Sequence, residues 1–195
     1  MMGSGSGWLV LVVGASGVGK DTVIAGARGA LADDRAFAFP RRIVTRPSDA
    51  TEDVETVDQN AFAARAAAGD FALSWSAYDL EYAIPSTIEP ALRSGCVVVC
   101  NVSRSVVAAA AQRYRTAVVE IVASVQTIAA RIEVRGRERG ADAERRIKRV
   151  GVALPQSLPV TRITNDGPAQ VATAQFVSHL RALKERAESN LPHRG

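Results

Sequence analysis

Lysine and histidine are scarce in this chain of 195 residues. Its lysines are Lys20, Lys148 and Lys184, and its two histidines, His179 and His193, both lie near the C-terminus. A serine–histidine hydrolase or a histidine-ligated metal site needs histidines placed beside other polar groups. Both kinds of site are therefore hard to assemble from this sequence.

Cysteine is equally rare, and Cys96 and Cys100 lie four positions apart in a CVVVC run. If that run is a strand, their α-carbons are about 13 Å apart, which is beyond the reach of a disulfide. The two residues indicate buried thiols in a reducing compartment, and we predict a cytoplasmic protein.

Long apolar runs are missing as well. No run approaches the roughly 18 apolar residues of a membrane span, so no membrane partner is predicted. The segment WLVLVVGA resembles the core of a signal peptide, but no basic residue precedes it and glycines follow at once. It predicts a buried first strand, preceded by a flexible leader at residues 1–7.

Basic residues are plentiful but are not packed into a tail. The formal net charge is +4, and nearly all of the 24 basic residues are arginines. A small phosphorylated ligand explains this excess as well as a polyanion does. Because no aromatic and basic module is visible, no nucleic-acid partner is predicted.

Apolar runs and helical patterns alternate along the chain, and continuous apolar runs are typical of parallel strands covered on both faces. The alternation predicts an α/β fold with an open parallel sheet flanked by helices, in one domain over residues 8–190. The predicted strands are 10–13, 96–100, 117–122 and 160–164, and the predicted helices are 21–31, 87–93, 104–113, 125–135 and 169–186.

Two segments interrupt the alternation. Residues 41–82 combine a polar loop, a helix that starts near Asp58 and two short strands around FALSW and LEYAI. This pattern predicts an insertion that binds a second substrate. Residues 135–149 are dense in charge, and charge alone is typical of a solvated helix face.

The stretch VGASGVGKDT carries the phosphate-binding pattern G-x-x-x-x-G-K from Gly14 to Lys20. Glycine lets backbone N–H groups approach anionic oxygens at positive φ, and the following helix adds its dipole. A lysine neutralises charge between the β and γ phosphates of a nucleotide. The predicted nucleotide-binding residues are Gly14, Ala15, Ser16, Gly17, Val18, Gly19, Lys20, Asp21 and Thr22.

Asp21 stands where such a loop normally carries the hydroxyl that reaches magnesium, and a hydroxyl follows only at Thr22. One interpretation is that Asp21 ligates Mg²⁺, with Thr22 as a secondary hydroxyl. The other is that a carboxylate in a first helical turn simply complements the helix dipole. The sequence leaves both open.

These motifs resemble the guanylate kinase-like branch of the nucleoside monophosphate kinases, and within it the ribose 1,5-bisphosphate phosphokinases. The resemblance runs from Trp8 to about Leu183 and rests on G-A-S-G-V-G-K-D, V-T-R-P, V-D-x-x-A-F, L-S-W, E-Y-A, R-G-R-E and N-D-G. In the phosphokinases the loop similarly ends in G-K-D, whereas guanylate kinases have G-K-S or G-K-G. The resemblance implies a P-loop kinase fold, with ATP and Mg²⁺ as cofactors.

The acceptor side departs from the guanylate kinase pattern. The T-R-x-P-R motif of that family matches Thr45, Arg46 and Pro47, but Ser48 follows and the second arginine is missing. Arg42 stands where those enzymes have a small hydroxyl residue, and residues four apart on a strand share a face. Arg42 and Arg46 are thus predicted to hold a doubly phosphorylated sugar, although an exposed strand edge would also carry such charges.

The positions that recognise guanine are also changed. Ser74 replaces the glutamate before Trp75, and a serine lacks the paired acceptors that guanine N–H groups require. Asn101 replaces an acidic residue of the family pattern. Tyr82 matches a tyrosine whose hydroxyl contacts the acceptor phosphate, although core packing would explain it too. The resemblance accordingly predicts acceptor contacts from Ser74, Tyr82 and Asn101.

The resemblance further implies a lid at about 135–149. Its candidates to close over the transferred phosphoryl group are Arg131, Arg135, Arg137 and Arg146, with Arg135 and Arg137 preferred. Guanidinium forks stabilise the charge on the equatorial oxygens once water is excluded. Asn165 matches an adenine-contacting position, although an N-D-G turn has an ordinary backbone role as well.

The resemblance implies transfer of the γ-phosphoryl group of MgATP to ribose 1,5-bisphosphate, and a place in phosphonate breakdown. The alternatives are a nucleoside monophosphate kinase, above all for GMP, and a non-catalytic guanylate kinase-like binding module. Ser74 argues against the first, and the intact glycines and Lys20 argue against the second. The expected assembly is a monomer or homodimer.

Overall fold

The computed structural model describes residues 7–46, 53–77, 79–135 and 153–189. Residues 1–6 of the leader predicted at 1–7, and most of the predicted lid, with Arg137 and Arg146, lie outside the described residues. Arg135 ends a described helix, but its side chain is outside the description. Pro47 and Ser48 of the acceptor motif also lie outside.

The described elements follow the predicted alternation of strands and helices. The strands are β1 Trp8–Val13, β2 Phe37–Ala38, β3 Arg42–Val44, β4 Val54–Thr56, β5 Phe71–Ala77, β6 Leu80–Pro85, β7 Val97–Asn101, β8 Thr116–Val122 and β9 Val160–Thr164. The helices are α1 Lys20–Ala30, α2 Gln59–Ala67, α3 Ile88–Arg93, α4 Val107–Arg113, α5 Val125–Arg135 and α6 Ala169–Glu188, with a short 3₁₀ turn at Arg104–Val106 before α4.

The main sheet has the strand order β2-β7-β1-β8-β9, and all of its pairs are parallel. Its central strand β1 is buried from Leu9 to Val13, as the continuous apolar run predicts. The prediction of an α/β fold with an open parallel sheet flanked by helices is confirmed. The carboxyl ends of parallel strands lie at the same edge of a sheet. The residues that follow β1, β7 and β8 therefore lie together along that edge.

Alternating side chains of β1 enter two different cores. Val10 and Val12 pack with Phe176 of α6 on one face, whereas Leu11 and Val13 pack with Val107 of α4 on the other. Side chains alternate between the faces of a strand, so this division follows directly from the β1 geometry. The strand that precedes the phosphate loop is therefore fixed from both sides.

The insertion forms a second sheet with the order β4-β3-β6-β5. Ile43, Phe62 and Ala83 make a small core between this sheet and α2. Helix α2 begins after Asp58, whose side chain accepts a hydrogen bond of 2.8 Å from the Ala61 N–H, as an N-cap does. The predicted helix start near Asp58 is confirmed, and the sheet extends to residue 85, beyond the predicted limit of 82.

Two short strands were missed by the sequence prediction. Strand β4 lies inside the segment predicted as a polar loop, and it pairs in parallel with β3. Strand β2 has two residues and pairs with β7. Runs of two or three residues carry no readable periodicity, and their pairing partners lie far away in sequence.

Asp53 ties the insertion to the main sheet layer. Its carboxylate makes ion pairs with Arg28 of α1 and with Arg41, the latter at 2.8 Å. Arg41 also donates a hydrogen bond of 2.6 Å to the Val54 carbonyl. The start of β4 is thereby fastened to the last turn of α1.

Both cysteines are free thiols, in agreement with their predicted separation along a strand. Cys100 is buried in β7, and burial raises the pKa of its thiol well above the ordinary value. Within the described ranges, no helix combines the length and the apolar character that crossing a bilayer demands.

Candidate active site

The loop between β1 and α1 needs glycine at defined positions. Gly14 has φ +152°, and a Cβ built there would lie 2.3 Å from the Ile121 carbonyl oxygen. Gly19 has φ +89°, and its Cβ would lie 2.5 Å from Asn165 Nδ2. Any other residue would strain or displace the loop at both points. The structure thus explains two of the glycines in the phosphate-binding pattern.

Lys20 begins α1 and folds back over the loop. Its Nζ donates hydrogen bonds of 2.9 Å to the carbonyl oxygens of Gly14 and Ala15. The ammonium group is therefore held at the mouth of the loop, beside the helix N-terminus. A positive charge and backbone N–H groups converge there on the space that suits an anionic oxygen.

Asn165 holds the phosphate-binding loop by a hydrogen bond from its side chain. It is 2% exposed and follows β9, where its backbone N–H donates to the Val122 carbonyl at 2.8 Å. Its Nδ2 donates to the Val18 carbonyl at 2.8 Å, and Arg131 Nη1 donates to the same oxygen at 3.2 Å. This geometry places Asn165 and Arg131 against the phosphate loop. The contact of Asn165 with adenine remains a prediction, and so does the contact of Arg131 with a phosphoryl group.

Asp21 and Asn101 meet beside the loop. Asn101 Nδ2 donates a hydrogen bond of 2.7 Å to Asp21 Oδ1. Asn101 is the last residue of β7, directly opposite Val12 of the neighbouring β1. Thr22, by contrast, lines an open groove between α1 and α6. The structure therefore joins two predicted site residues that the sequence had assigned to different ligands.

The described residues suit a Mg²⁺ ion that enters the site together with the phosphates of its substrate. Among the ranges that the structure describes, no group of three or more metal-binding side chains is present. Mg²⁺ in kinases is held by one or two carboxylates together with phosphate oxygens and waters. The exposed carboxylate of Asp21, next to Lys20 and the loop, is such a hard oxygen donor.

Three side chains of the insertion form a stack on one face of its sheet. Trp75 on β5 lies opposite Tyr82 on β6, with ring centroids 5.5 Å apart and planes 8° apart. The Arg42 guanidinium on β3 lies 5.1 Å from the centre of the Tyr82 ring. Because β6 lies between β3 and β5, Tyr82 is held between Arg42 and Trp75. The attraction between the guanidinium and the ring face keeps the Arg42 side chain beside Tyr82 and so limits the directions in which its N–H groups can point.

Two predicted acceptor residues are placed differently. Ser74 lies opposite Ala83, and strand alternation puts both on the face towards α2, away from Trp75 and Tyr82. Strand β3 ends at Val44, so alternation does not extend to Arg46, which follows in a bend. The structure brings Arg42 and Tyr82 together and leaves the acceptor contacts of Ser74 and Arg46 as predictions.

Glu120 is a buried charge that the sequence analysis did not single out. It lies in β8, opposite Val13 of β1, and is 8% exposed. Arg104 Nη2 donates to one of its oxygens at 2.7 Å, and Arg162 Nε donates to the other at 3.0 Å. The sequence does contain a signal for this buried charge, because Glu120 is the one charged residue in the apolar run AVVEIV. A charge in such a run is expected to be paired.

The ionisation of Glu120 should make stability depend on pH. Burial raises its pKa, but the hydrogen bonds from Arg104 and Arg162 outweigh burial and hold the pKa below the ordinary value. A lowered folded pKa contributes stability that is present above the unfolded pKa of about 4.3 and is lost as pH falls through the folded value. We expect Glu120→Gln to lower the free energy of unfolding by about 1 to 2 kcal/mol at pH 7.

Urea unfolding from pH 7 to about pH 3 checks this expectation, because the gap between Glu120→Gln and the parent should be full at neutral pH and close as pH falls below the ordinary carboxyl pKa of about 4.3. Glu55→Gln is the matched control, since Glu55 pairs with Arg65 at 2.6 Å but has a side chain 44% exposed. Its effect should stay within about 0.5 kcal/mol. An equal effect of both substitutions would contradict the role assigned to burial.

A parallel sheet with β1 at its centre, a glycine loop before α1 and a lysine folded over that loop define a P-loop kinase. The fold matches the crystal structure of guanylate kinase from Anaplasma phagocytophilum with a TM-score of 0.66. The match covers 94% of this chain and 89% of that one at 16% identity, and therefore concerns the fold alone. No protein-family model matches the chain.

Curated relatives identify the family. The chain is 49% identical over 177 residues to ribose 1,5-bisphosphate phosphokinase PhnN of Methylobacterium radiotolerans, covering 90% of this chain and 98% of the relative. It is 43% identical to the protein of the same name from Acidiphilium cryptum, covering 90% and 93%. The chain belongs to the ribose 1,5-bisphosphate phosphokinase PhnN family. The family and the kinase class that the resemblance implied are confirmed.

Proposed function

We propose that this protein transfers the γ-phosphoryl group of MgATP to the 1-phosphate of ribose 1,5-bisphosphate. The products are 5-phospho-α-D-ribosyl 1-diphosphate and ADP, and the associated role is in phosphonate metabolism. The observation that carries the proposal is the 49% identity to a relative of that name over nearly the whole of both chains. The intact loop with Lys20 supports catalysis rather than a binding role alone.

The donor side follows from the loop geometry. Backbone N–H groups of the loop and the ammonium of Lys20 hold the β and γ phosphates of ATP. Bound Mg²⁺ would neutralise negative charge on these phosphates, and the carboxylate of Asp21 is the described group that would hold it. Asn165 and Arg131 keep the Val18 carbonyl, and with it the loop, in position.

The acceptor side requires positive charge but no general base. An oxygen of the sugar 1-phosphate is already anionic and attacks the γ phosphorus, while the bond from that phosphorus to the bridging oxygen of ADP breaks. Arg42 and Arg46 offset the charge of the two sugar phosphates, and the Tyr82 hydroxyl orients one of them. Positioning the reactants in line and stabilising the charge of the transferred group together supply the acceleration.

Two features distinguish this proposal from a GMP kinase. Ser74 stands where a base-recognising carboxylate would, and strand register turns it towards the α2 side of the sheet. Arg42 adds a charge that a nucleoside monophosphate, with its single phosphate, does not need.

The same proposal includes a cytoplasmic location and a monomeric or homodimeric assembly.

Phosphorus NMR of the purified protein with MgATP tests the function directly. One sample contains ribose 1,5-bisphosphate, a second contains GMP, and a third has no acceptor and measures ATP hydrolysis. We expect a new diphosphate signal on the sugar and an unchanged GMP signal. Turnover of GMP alone would establish the nucleotide kinase, and no transfer in either sample would favour a binding module.

A further inference from the structure

We infer that Asn101 belongs to the metal side of the site, where it orients the Asp21 carboxylate for Mg²⁺. The resemblance had placed Asn101 with the acceptor. This inference rests on the proposed function, because it names the residues that prepare the same site for its magnesium nucleotide. Asn101 is a positioning residue in this account, since it acts through Asp21.

In P-loop enzymes two side chains of the protein usually serve the magnesium ion. The residue after the loop lysine supplies a hydroxyl to magnesium, and an aspartate from a core strand supplies the carboxylate. Here the residue after Lys20 is Asp21, and β7, the strand next to β1, ends in Asn101. The carboxylate thus stands on the helix, and a neutral polar group stands at the end of the strand.

The hydrogen bond between the two residues shows that they form a unit. Asn101 Nδ2 and Asp21 Oδ1 are 2.7 Å apart, although the residues are 80 positions apart in sequence. The end of β7 is well anchored, because the N–H of the next residue, Val102, donates to the Val12 carbonyl at 3.1 Å. An anchored donor restricts the rotamers of an exposed carboxylate that would otherwise be free to turn away.

The chemistry of the pair explains why an amide is present rather than a second carboxylate. At neutral pH a carboxylate only accepts hydrogen bonds, so an aspartate at position 101 would repel Asp21 at this distance. An amide offers a donor and adds no charge. If the carboxylate has changed places, returning both residues to the usual arrangement should restore the site, whereas a serine at position 21 alone should not.

Binding of ADP in the presence and absence of Mg²⁺, measured by titration calorimetry, tests this without turnover. The measured quantity is the factor by which Mg²⁺ tightens ADP binding. We expect Asn101→Ala to reduce that factor at least tenfold, as loss of an orienting partner does. Asp21→Ser should abolish it, and the double variant Asp21→Ser with Asn101→Asp should recover at least tenfold over Asp21→Ser alone.

Binding of ribose 1,5-bisphosphate to the same variants separates the metal side from the acceptor side. Asn101→Ala should leave the Kd for the sugar bisphosphate within about twofold of the parent, and melting curves establish that each variant is folded. An unchanged Mg²⁺ factor in folded Asn101→Ala, or no recovery in the double variant, would overturn the inference. If the sugar bisphosphate is not a substrate, the Mg²⁺ factor with ADP still decides the role of Asn101.

Discussion

We expect Lys20→Met to lower kcat by about 10³-fold, the scale for loss of one preorganised charged donor in a transition state. The ammonium group lies at the mouth of the phosphate loop, 2.9 Å from the carbonyl oxygens of Gly14 and Ala15. When the γ-phosphoryl group leaves ADP, negative charge grows on the bridging oxygen and the ammonium stabilises it. Methionine keeps much of the length of the side chain but carries no charge.

Steady-state kinetics with ATP and ribose 1,5-bisphosphate measure this effect, and Lys184→Met is the matched control. Lys184 lies on α6, where its half-buried side chain pairs with Asp34 at 3.1 Å and lies 5.9 Å from the centre of the Phe37 ring of β2, and it takes no part in the site. Its variant should keep kcat within about twofold, as surface substitutions do. A Lys20→Met variant that is folded, binds ATP and retains more than a tenth of the parental kcat would contradict the proposed role of the lysine.

Lys20→Met should cost little stability. Its two hydrogen bonds to the loop are each worth about 1 kcal/mol, and they are offset by relief of a desolvated charge. Chemical unfolding should therefore show a change of about 2 kcal/mol or less. A loss of activity that tracked unfolding would instead assign Lys20 a structural role.

The main sheet could be predicted because burial on both faces leaves a continuous apolar signature. WLVLVV, CVVVC and AVVEIV each became a strand within two residues of the predicted bounds. The phosphate loop could be predicted because its glycine spacing is local and follows directly from backbone geometry. Local patterns of this kind need no knowledge of distant partners.

The parts that were missed depend on pairings over long sequence distances. Nothing local to Asn101 indicates that Asp21 is its partner, because only the adjacency of β1 and β7 brings them together. The partner of Tyr82 in the stack, Trp75, was noted only as part of a motif. Ser74 faces away from that stack because of a strand register that composition does not reveal.

We expect Arg42→Ala to raise the KM for ribose 1,5-bisphosphate by about 10²-fold, the value of one or two charge-assisted hydrogen bonds to phosphate. The KM for ATP should stay within about twofold, because Arg42 lies on the insertion sheet and not on the loop. Arg42→Lys should recover only part of the loss. A lysine keeps the charge, but it lacks the planar guanidinium that lies over the Tyr82 ring, which itself stacks on Trp75.

Arg65→Ala is the control for Arg42, because the chain repeats the same contact on the other face of the insertion. The Arg65 guanidinium lies 5.5 Å from the centre of the Phe71 ring and pairs with Glu55. Removing it should change stability slightly but leave the KM for the sugar bisphosphate within about twofold. If both variants raised that KM equally, the effect would come from loosening the insertion, and the stack would lose its role in binding phosphate. A rise confined to Arg42 would instead mean that one face of this sheet recognises the sugar bisphosphate while the other only supports it.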